Sequence, residues 1–223
     1  MNVAIDGPAG AGKSTIAKLC AKKMNLVYVD TGAMYRAVAL YLLESGIDVN
    51  NRAAVAEKCS GANVDIKYED GIQNVYLNGV NVTGRLREEA VGNTASVTSA
   101  VPEVRSQIFS LQRGLAERGG VIMDGRDIGT VVMPDADVKI YLTASSEVRA
   151  RRRVLELEAK GEKPDFEEVK RDIEERDHRD MTREISPLKQ ADDAVLVDTS
   201  DMTIDQVAEK ICSLCDEFLE LKK

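Results

Sequence analysis

The stretch Asp6-Gly7-Pro8-Ala9-Gly10-Ala11-Gly12-Lys13-Ser14-Thr15 follows directly on the apolar run Val3-Ala4-Ile5, and no other part of the chain narrows the fold so far. Gly7 and Gly12 bracket four residues ahead of Lys13 and Ser14, which is the spacing of a P-loop. Glycines let the backbone curl so that several N–H groups point inward at phosphate oxygens, and the helix that follows adds its positive end. Lys13 then reaches the β- and γ-phosphates, and the Ser14 hydroxyl suits a Mg²⁺ ion brought in with the nucleotide. Gly7, Gly10 and Gly12 do not give the G-x-G-x-x-G spacing of a dinucleotide site.

Downstream text repeats the strand–helix rhythm. Residues 26–29 read as a short strand, and Asp30 or Thr31 caps a helix whose apolar positions Met34, Val38 and Leu42 recur every four residues. That opening predicts a doubly wound α/β fold with a parallel sheet, in which ligands collect at the carboxyl ends of the strands. Asp30, Thr31 and Arg36 lie at such an end. From residue 63 the period changes to two: 64–68, 74–77 and 80–82 alternate between turns at Glu69-Asp70-Gly71 and Asn78-Gly79, a small antiparallel meander read as a substrate-side insertion. Helical text follows from Arg87 to Ser96 and again after Pro102.

Val121-Ile122-Met123 is a buried strand closed by Asp124, the general shape of a carboxylate that holds a Mg²⁺ shell. Gly125-Arg126-Asp127-Ile128-Gly129-Thr130 then aims an arginine and an acid from a strand end. Residues 138–142 form another strand. Eight of the chain's sixteen arginines fall between Arg149 and Arg183, on a helix from 145 to 160 and a second opened by an Asp165/Glu168 capping box. In a chain of net charge −8 this concentration suggests a cover over phosphates, since guanidinium holds two phosphate oxygens at once. Some of these arginines simply pair with Glu156, Glu158 and Glu175 along exposed helix. A last strand at 194–198 and a helix at 204–221 close the chain.

The same charge balance argues against a general nucleic-acid or membrane-surface binder. No run of about 18 apolar residues occurs, and a cytoplasmic location is expected. Cys212 and Cys215 share a helical face but lack two further zinc ligands nearby, so they read as small buried residues. His178-Arg179-Asp180 imitates the protein-kinase catalytic loop without its downstream Asn or a D-F-G, and is set aside.

Taken together, the Asp6–Thr15 motif, Asp30-Thr31-Gly32-Ala33-Met34-Tyr35-Arg36, Asp124-Gly125-Arg126-Asp127-Ile128-Gly129-Thr130-Val131-Val132 and Arg176-Asp177-His178-Arg179-Asp180 resemble the bacterial-type cytidylate kinases over nearly the whole chain. The resemblance implies a P-loop kinase fold with a small antiparallel β insertion and a helical lid. It divides the chain into a core of 1–60, 100–148 and 190–223, an acceptor-binding insertion near 61–99 and an arginine-rich lid near 149–185. It implies transfer of phosphate from ATP to CMP or dCMP, with Mg²⁺ accompanying ATP and with Ser14 and Asp124 as its candidate holders. Residues 7–15 (Gly7, Pro8, Ala9, Gly10, Ala11, Gly12, Lys13, Ser14, Thr15) with Arg152 and Arg153 would bind ATP. Thr31, Arg36, Ser96, Arg105, Arg126, Asp127, Arg176, Asp180 and Arg183 would bind the acceptor, and Lys13, Arg126, Arg176 and Arg183 would act on the transferring group. A monomer with no nucleic-acid or membrane partner is expected. Other P-loop kinases acting on UMP, AMP or a non-nucleotide, and a nucleotide-hydrolysing switch, are the competing readings.

Overall fold

The computed structural model describes residues 1–222. In chain order its elements are β1 (Val3–Asp6), α1 (Lys13–Met24), β2 (Val27–Asp30), α2 (Thr31–Glu44), α3 (Arg52–Cys59), β3 (Val64–Glu69), β4 (Ile72–Leu77), β5 (Val80–Asn81), α4 (Glu89–Thr98), α5 (Pro102–Ala116), β6 (Val121–Gly125), β7 (Val138–Thr143), α6 (Ser146–Glu158), α7 (Phe166–Thr182), β8 (Val195–Asp198) and α8 (Ile204–Leu221). They fall into two compact units, Met1–Leu26 with Gly120–Lys223 and Val27–Gly119.

In the first unit four strands of the parallel sheet run in the order β6-β1-β7-β8. Every residue of β1 and β6 is buried, as expected of parallel strands covered on both faces, and this is why their text is continuously apolar rather than alternating. The register pairs Val3 with Ile122 and Val138, and carries through to Asp6 opposite Gly125 and Tyr141. Two chain segments therefore leave the sheet side by side at its carboxyl edge, one at Gly7 and one at Arg126. Helix α1 packs against α8, and α6 packs against α7. Asp165 caps α7 by accepting from the Glu168 N–H at 2.9 Å, so only that half of the expected capping box forms. The full reciprocal box is at α8, between Thr203 and Gln206.

The second unit holds β2, the antiparallel sheet β3-β4-β5, and helices α2 to α5. Alternate residues of β3 are exposed, the mark of a sheet covered on one face. Gln73 on β4 grips the backbone of Asp30 from both sides, accepting from its N–H at 2.8 Å and donating to its carbonyl at 3.1 Å. The Tyr68 hydroxyl donates to the Tyr28 carbonyl at 3.1 Å. The meander is thus fastened to the strand end that bears Asp30 and Thr31. Helix α3 has weak apolar periodicity and little sequence signal; an Asn51 cap accepting from the Ala54 N–H starts it.

Gly7 fixes the first turn. Its φ is 147°, and a Cβ there would lie 1.9 Å from the Leu142 carbonyl oxygen of β7. The backbone of the loop rests directly on the neighbouring strand, which leaves no room for a side chain. Gly7→Ala is expected to lower the thermal unfolding temperature by several degrees or more, because backbone and not a flexible side chain stands in the way. An unchanged transition would contradict this packing.

Candidate active site

At the carboxyl edge of the first unit, β1 turns through residues 7–12 into α1. The N-cap of α1 is Gly12, in the left-handed region with φ 87°, and it supplies no side-chain hydrogen bond to the helix. The first amides of α1 are left to an outside acceptor, which makes this turn an anion site by backbone geometry. Lys13 is buried, and its Nζ donates to the Pro8 carbonyl at 2.6 Å. Burial holds its pKa well below the usual lysine value and nearby Arg126 lowers it further, against the opposing pull of Asp124, Asp6 and Asp180. A phosphate arriving at the turn would add the negative charge that this ammonium lacks.

The Ser14 hydroxyl donates to Asp124 Oδ2 at 2.7 Å. A hydroxyl and a carboxylate, one from the start of α1 and one from the end of β6, are the hard oxygen donors a Mg²⁺ ion accepts while keeping waters and phosphate oxygens as its other ligands. Among the described residues no cluster of three or more His, Cys, Asp or Glu side chains forms a self-sufficient metal cage. One hydroxyl and one carboxylate fit a hard cation that takes its other oxygens from water or a bound ligand.

Beyond Asp124 the chain passes through Arg126 and Asp127 into a π-helical turn, Ile128–Val132. Such turns are rare and recur at functional sites. Arg126 Nε donates to Asp180 Oδ2 at 2.8 Å. Arg183 lies 3.8 Å from Asp127 Oδ1 and 3.9 Å from Asp180 Oδ1, and its Nε donates to the Ser186 carbonyl at 2.7 Å. Burial would raise the pKa of Asp180, but Arg126, Arg176 and Arg183 outweigh it and hold the carboxyl below its ordinary value. Asp127 is only 3% exposed. The structure thus brings Lys13, Ser14, Asp124, Arg126, Asp127, Arg176, Asp180 and Arg183 into one unit, with Lys13 and the three carboxylates buried and the three guanidiniums half-buried.

Arg152 and Arg153 are engaged elsewhere. The Arg152 guanidinium donates to the Thr199 hydroxyl at 3.1 Å and to its carbonyl at 2.7 Å, and Arg153 pairs with Glu156 at 3.2 Å on a more exposed face of α6. Thr15 is exposed. Cys212 and Cys215 are free thiols on α8, Cys215 buried, in line with a packing role.

In the second unit Asp30 caps α2 by accepting from the Ala33 N–H at 2.9 Å, and its carboxylate is approached by Arg36 at 4.0 Å and Arg87 at 3.5 Å. Thr31 is buried at the first turn of α2. Ser96 on α4 and Arg105 on α5 are both buried, and α2 packs against both of these helices. The Arg105 guanidinium sits 5.5 Å from the centre of the Tyr35 ring and donates to the Ser99 carbonyl at 3.3 Å. A buried arginine held against an aromatic face and a carbonyl is a fixed cation, suited to a polar heterocycle.

In the sequence Asp6 reads only as a member of the glycine motif. Its two oxygens accept from the N–H groups of Ile128 at 2.8 Å and Gly129 at 2.7 Å, so the residue that opens the phosphate turn also holds the backbone just after Asp127. Only the strand register makes that pairing, and nothing local in the sequence signals it.

A phosphate-binding turn with a buried lysine, set at the carboxyl edge of a parallel sheet and faced by a guanidinium cluster, defines a P-loop phosphotransferase. Comparison with known proteins narrows the class. Residues 3–217 match the family model described as Cytidylate kinase, and the chain belongs to that family. It is 49% identical to a Cytidylate kinase of Leuconostoc mesenteroides over 214 residues, covering 96% of either chain. It is 48% identical to one of Caldicellulosiruptor saccharolyticus, covering 96% of this chain and 95% of the other. It is also 48% identical to one of Bacillus licheniformis, covering 96% of both. The fold is shared with a solved shikimate kinase of Bacteroides thetaiotaomicron (TM-score 0.50, 12% identity, covering 97% of this chain and 98% of that one). An uncharacterized protein from Eubacterium ventriosum shares it too, with TM-score 0.54, 12% identity and the same coverage.

Asp6 yields a prediction. Burial raises its pKa to about 6, against the lowering effect of the Gly129 and Ile128 N–H groups. The folded chain therefore keeps a proton that the unfolded chain loses near 3.8. The stabilisation from this group is fully present below that value and is lost as pH rises through about 6, on the order of 3 kcal/mol in total. Urea unfolding from pH 4 to 7 should show a component of this sign in the wild type that Asp6→Asn lacks. Parallel pH dependences for the two would contradict it.

Proposed function

We propose that the chain transfers the γ-phosphoryl group of ATP to the phosphate of CMP or dCMP, giving ADP and CDP or dCDP, and that it does so in the cytoplasm. Family membership over residues 3–217 supports the reaction class, and the observation that carries the reading structurally is the paired guanidinium–carboxylate cluster in the same unit as the P-loop. A hydrolysing switch needs one phosphate site. Transfer between two nucleotides needs cations for a second anion as well, and Arg126, Arg176 and Arg183 supply them.

The acceptor phosphate is already an anionic nucleophile, so no general base is required. One of its oxygens attacks the γ-phosphorus, the bond from that phosphorus to the β,γ-bridging oxygen breaks, and ADP leaves with the bond's electron pair. Residues 7–15 hold the donor phosphates through backbone amides, and Lys13 moves from the Pro8 carbonyl to the β- and γ-oxygens. Ser14 and Asp124 would hold Mg²⁺, directly or through water, and the ion when bound supplies positive charge to the donor phosphates. Arg126, Arg176 and Arg183 stabilise the charge that spreads over the transferring group; Arg152 and Arg153 are assigned to the ATP side, which requires them to exchange Thr199 and Glu156 for phosphate oxygens.

For the acceptor, Arg36, Arg126 and Arg183 are assigned to the α-phosphate, and Arg176 and Asp180 to the sugar hydroxyls. Thr31, Ser96, Arg105 and Asp127 are assigned to the remaining polar contacts. Cytosine presents an amino donor beside two acceptors, a pattern that a carboxylate, a guanidinium and a hydroxyl complement. Uracil presents a carbonyl in place of the amine, which would leave the Asp127 carboxylate facing an acceptor at a cost of about 1–3 kcal/mol.

A coupled ADP-release assay across CMP, dCMP, UMP and AMP tests the reading, with turnover expected to favour the two cytidine nucleotides. Asp127→Ala should lower the CMP-over-UMP preference by roughly tenfold or more, the equivalent of the mismatch just given. Lys13→Ala should abolish most turnover with the fold intact. Equal use of UMP by the wild type, or steady ATP consumption without acceptor, would contradict the assignment.

A further inference from the structure

Two buried charges of the first unit have no part in the mechanism above. Arg149, on the first turn of α6, is 5% exposed, and Asp177, on α7, is 8% exposed. The arginine spends its donors in three directions. Nε donates to the Ala144 carbonyl at 2.9 Å, one terminal nitrogen donates to the Ala9 carbonyl at 2.8 Å, and the other lies 2.6 Å from Asp177 Oδ2. The second carboxylate oxygen of Asp177 is buried and finds no hydrogen-bond partner among the described residues, so the hydrogen bonding of that carboxylate rests on Arg149.

The Ala9 contact falls inside the phosphate turn. In a planar trans peptide the carbonyl and the following N–H point in opposite directions. Holding the Ala9 carbonyl outward on Arg149 therefore turns the Gly10 N–H the other way. Gly10 itself has φ 74°, and a Cβ on it would lie 3.4 Å from the Cβ of Arg149, so the arginine stem also packs beneath this residue. A single guanidinium thus sets the orientation of one amide of the cradle. That guanidinium is neutralised by the same helix, α7, that carries Arg176 and Asp180.

We propose that Arg149 and Asp177 are positioning residues for phosphoryl transfer: the pair holds the Ala9–Gly10 peptide in the orientation that receives the donor phosphates and ties that orientation to α7. Neither side chain touches substrate in this account. The proposal rests on reading residues 7–15 as the ATP seat. It is tested by ATP titration without any acceptor, so that an error in the acceptor assignment does not affect it, and absence of ATP binding by the wild type would count against the seat itself.

The variants are Arg149→Met, Asp177→Leu and the two combined, followed by thermal unfolding and by titration with ATP. Each single change leaves a buried charge unanswered and lowers the unfolding temperature, whereas the double change removes both charges and recovers it. Affinity for ATP is expected to stay at least tenfold weaker in the double variant, because the Ala9 carbonyl is still unheld. A merely structural pair would recover affinity together with stability. Arg149→Lys keeps the charge opposite Asp177 but cannot reach both carbonyls, and gives the same weakening should the double variant unfold too readily to titrate. Wild-type ATP affinity in either folded variant overturns the proposal.

Discussion

A lysine ammonium taken out of water costs free energy unless something answers its charge, and the first unit is arranged around one such group. Lys13 is held against the Pro8 carbonyl, with Asp6, Asp124 and Asp180 near enough to favour its charged form and Arg126 near enough to oppose it. Desolvation outweighs the carboxylates and disfavours the charged ammonium. The first amides of α1 have no side-chain acceptor at the Gly12 cap. An incoming polyphosphate would answer both.

The sheet makes this arrangement rigid. With β1 lodged between β6 and β7, the start of the turn is fixed by two parallel ladders, and Gly7 rests on the Leu142 carbonyl with no intervening side chain. Asp6 then fastens the segment after Asp127 to the strand that launches the turn. The carboxylates and guanidiniums of the cluster neutralise one another in the free protein, Arg126 with Asp180 and Arg183 with both Asp127 and Asp180. Such pairs keep the guanidinium groups oriented in the free protein, and carboxylate contacts of this kind can be exchanged for phosphate oxygens.

Much of this was legible in the sequence because it depends on local spacing. The glycine–lysine–serine pattern, the buried strands ending in Asp6 and Asp124, and the alternating text of β3 and β4 each carry their own periodicity or turn chemistry. What could not be read depends on register between distant segments. Asp6 looks like part of the glycine motif until β1 and β6 are aligned, and Arg149 looks like one more arginine of a basic helix until its guanidinium is seen beneath Ala9. The π-helical turn at 128–132, whose first two amides donate to Asp6, likewise reads in sequence only as a loop. Arg152, grouped with Arg153 on the basic helix, is committed to Thr199, a partner 47 residues away.

Lys13 sits at the centre of the site, in a buried position where desolvation disfavours its charge until an anion arrives. Titration of the lysine side chain by NMR, with isotope-labelled lysine and the Lys13 signal assigned through Lys13→Arg, measures this directly. In the free protein the Lys13 ammonium should lose its proton well below the ordinary lysine range, and saturating ATP should move that titration upward. An ordinary lysine titration that ATP leaves unchanged would contradict the account.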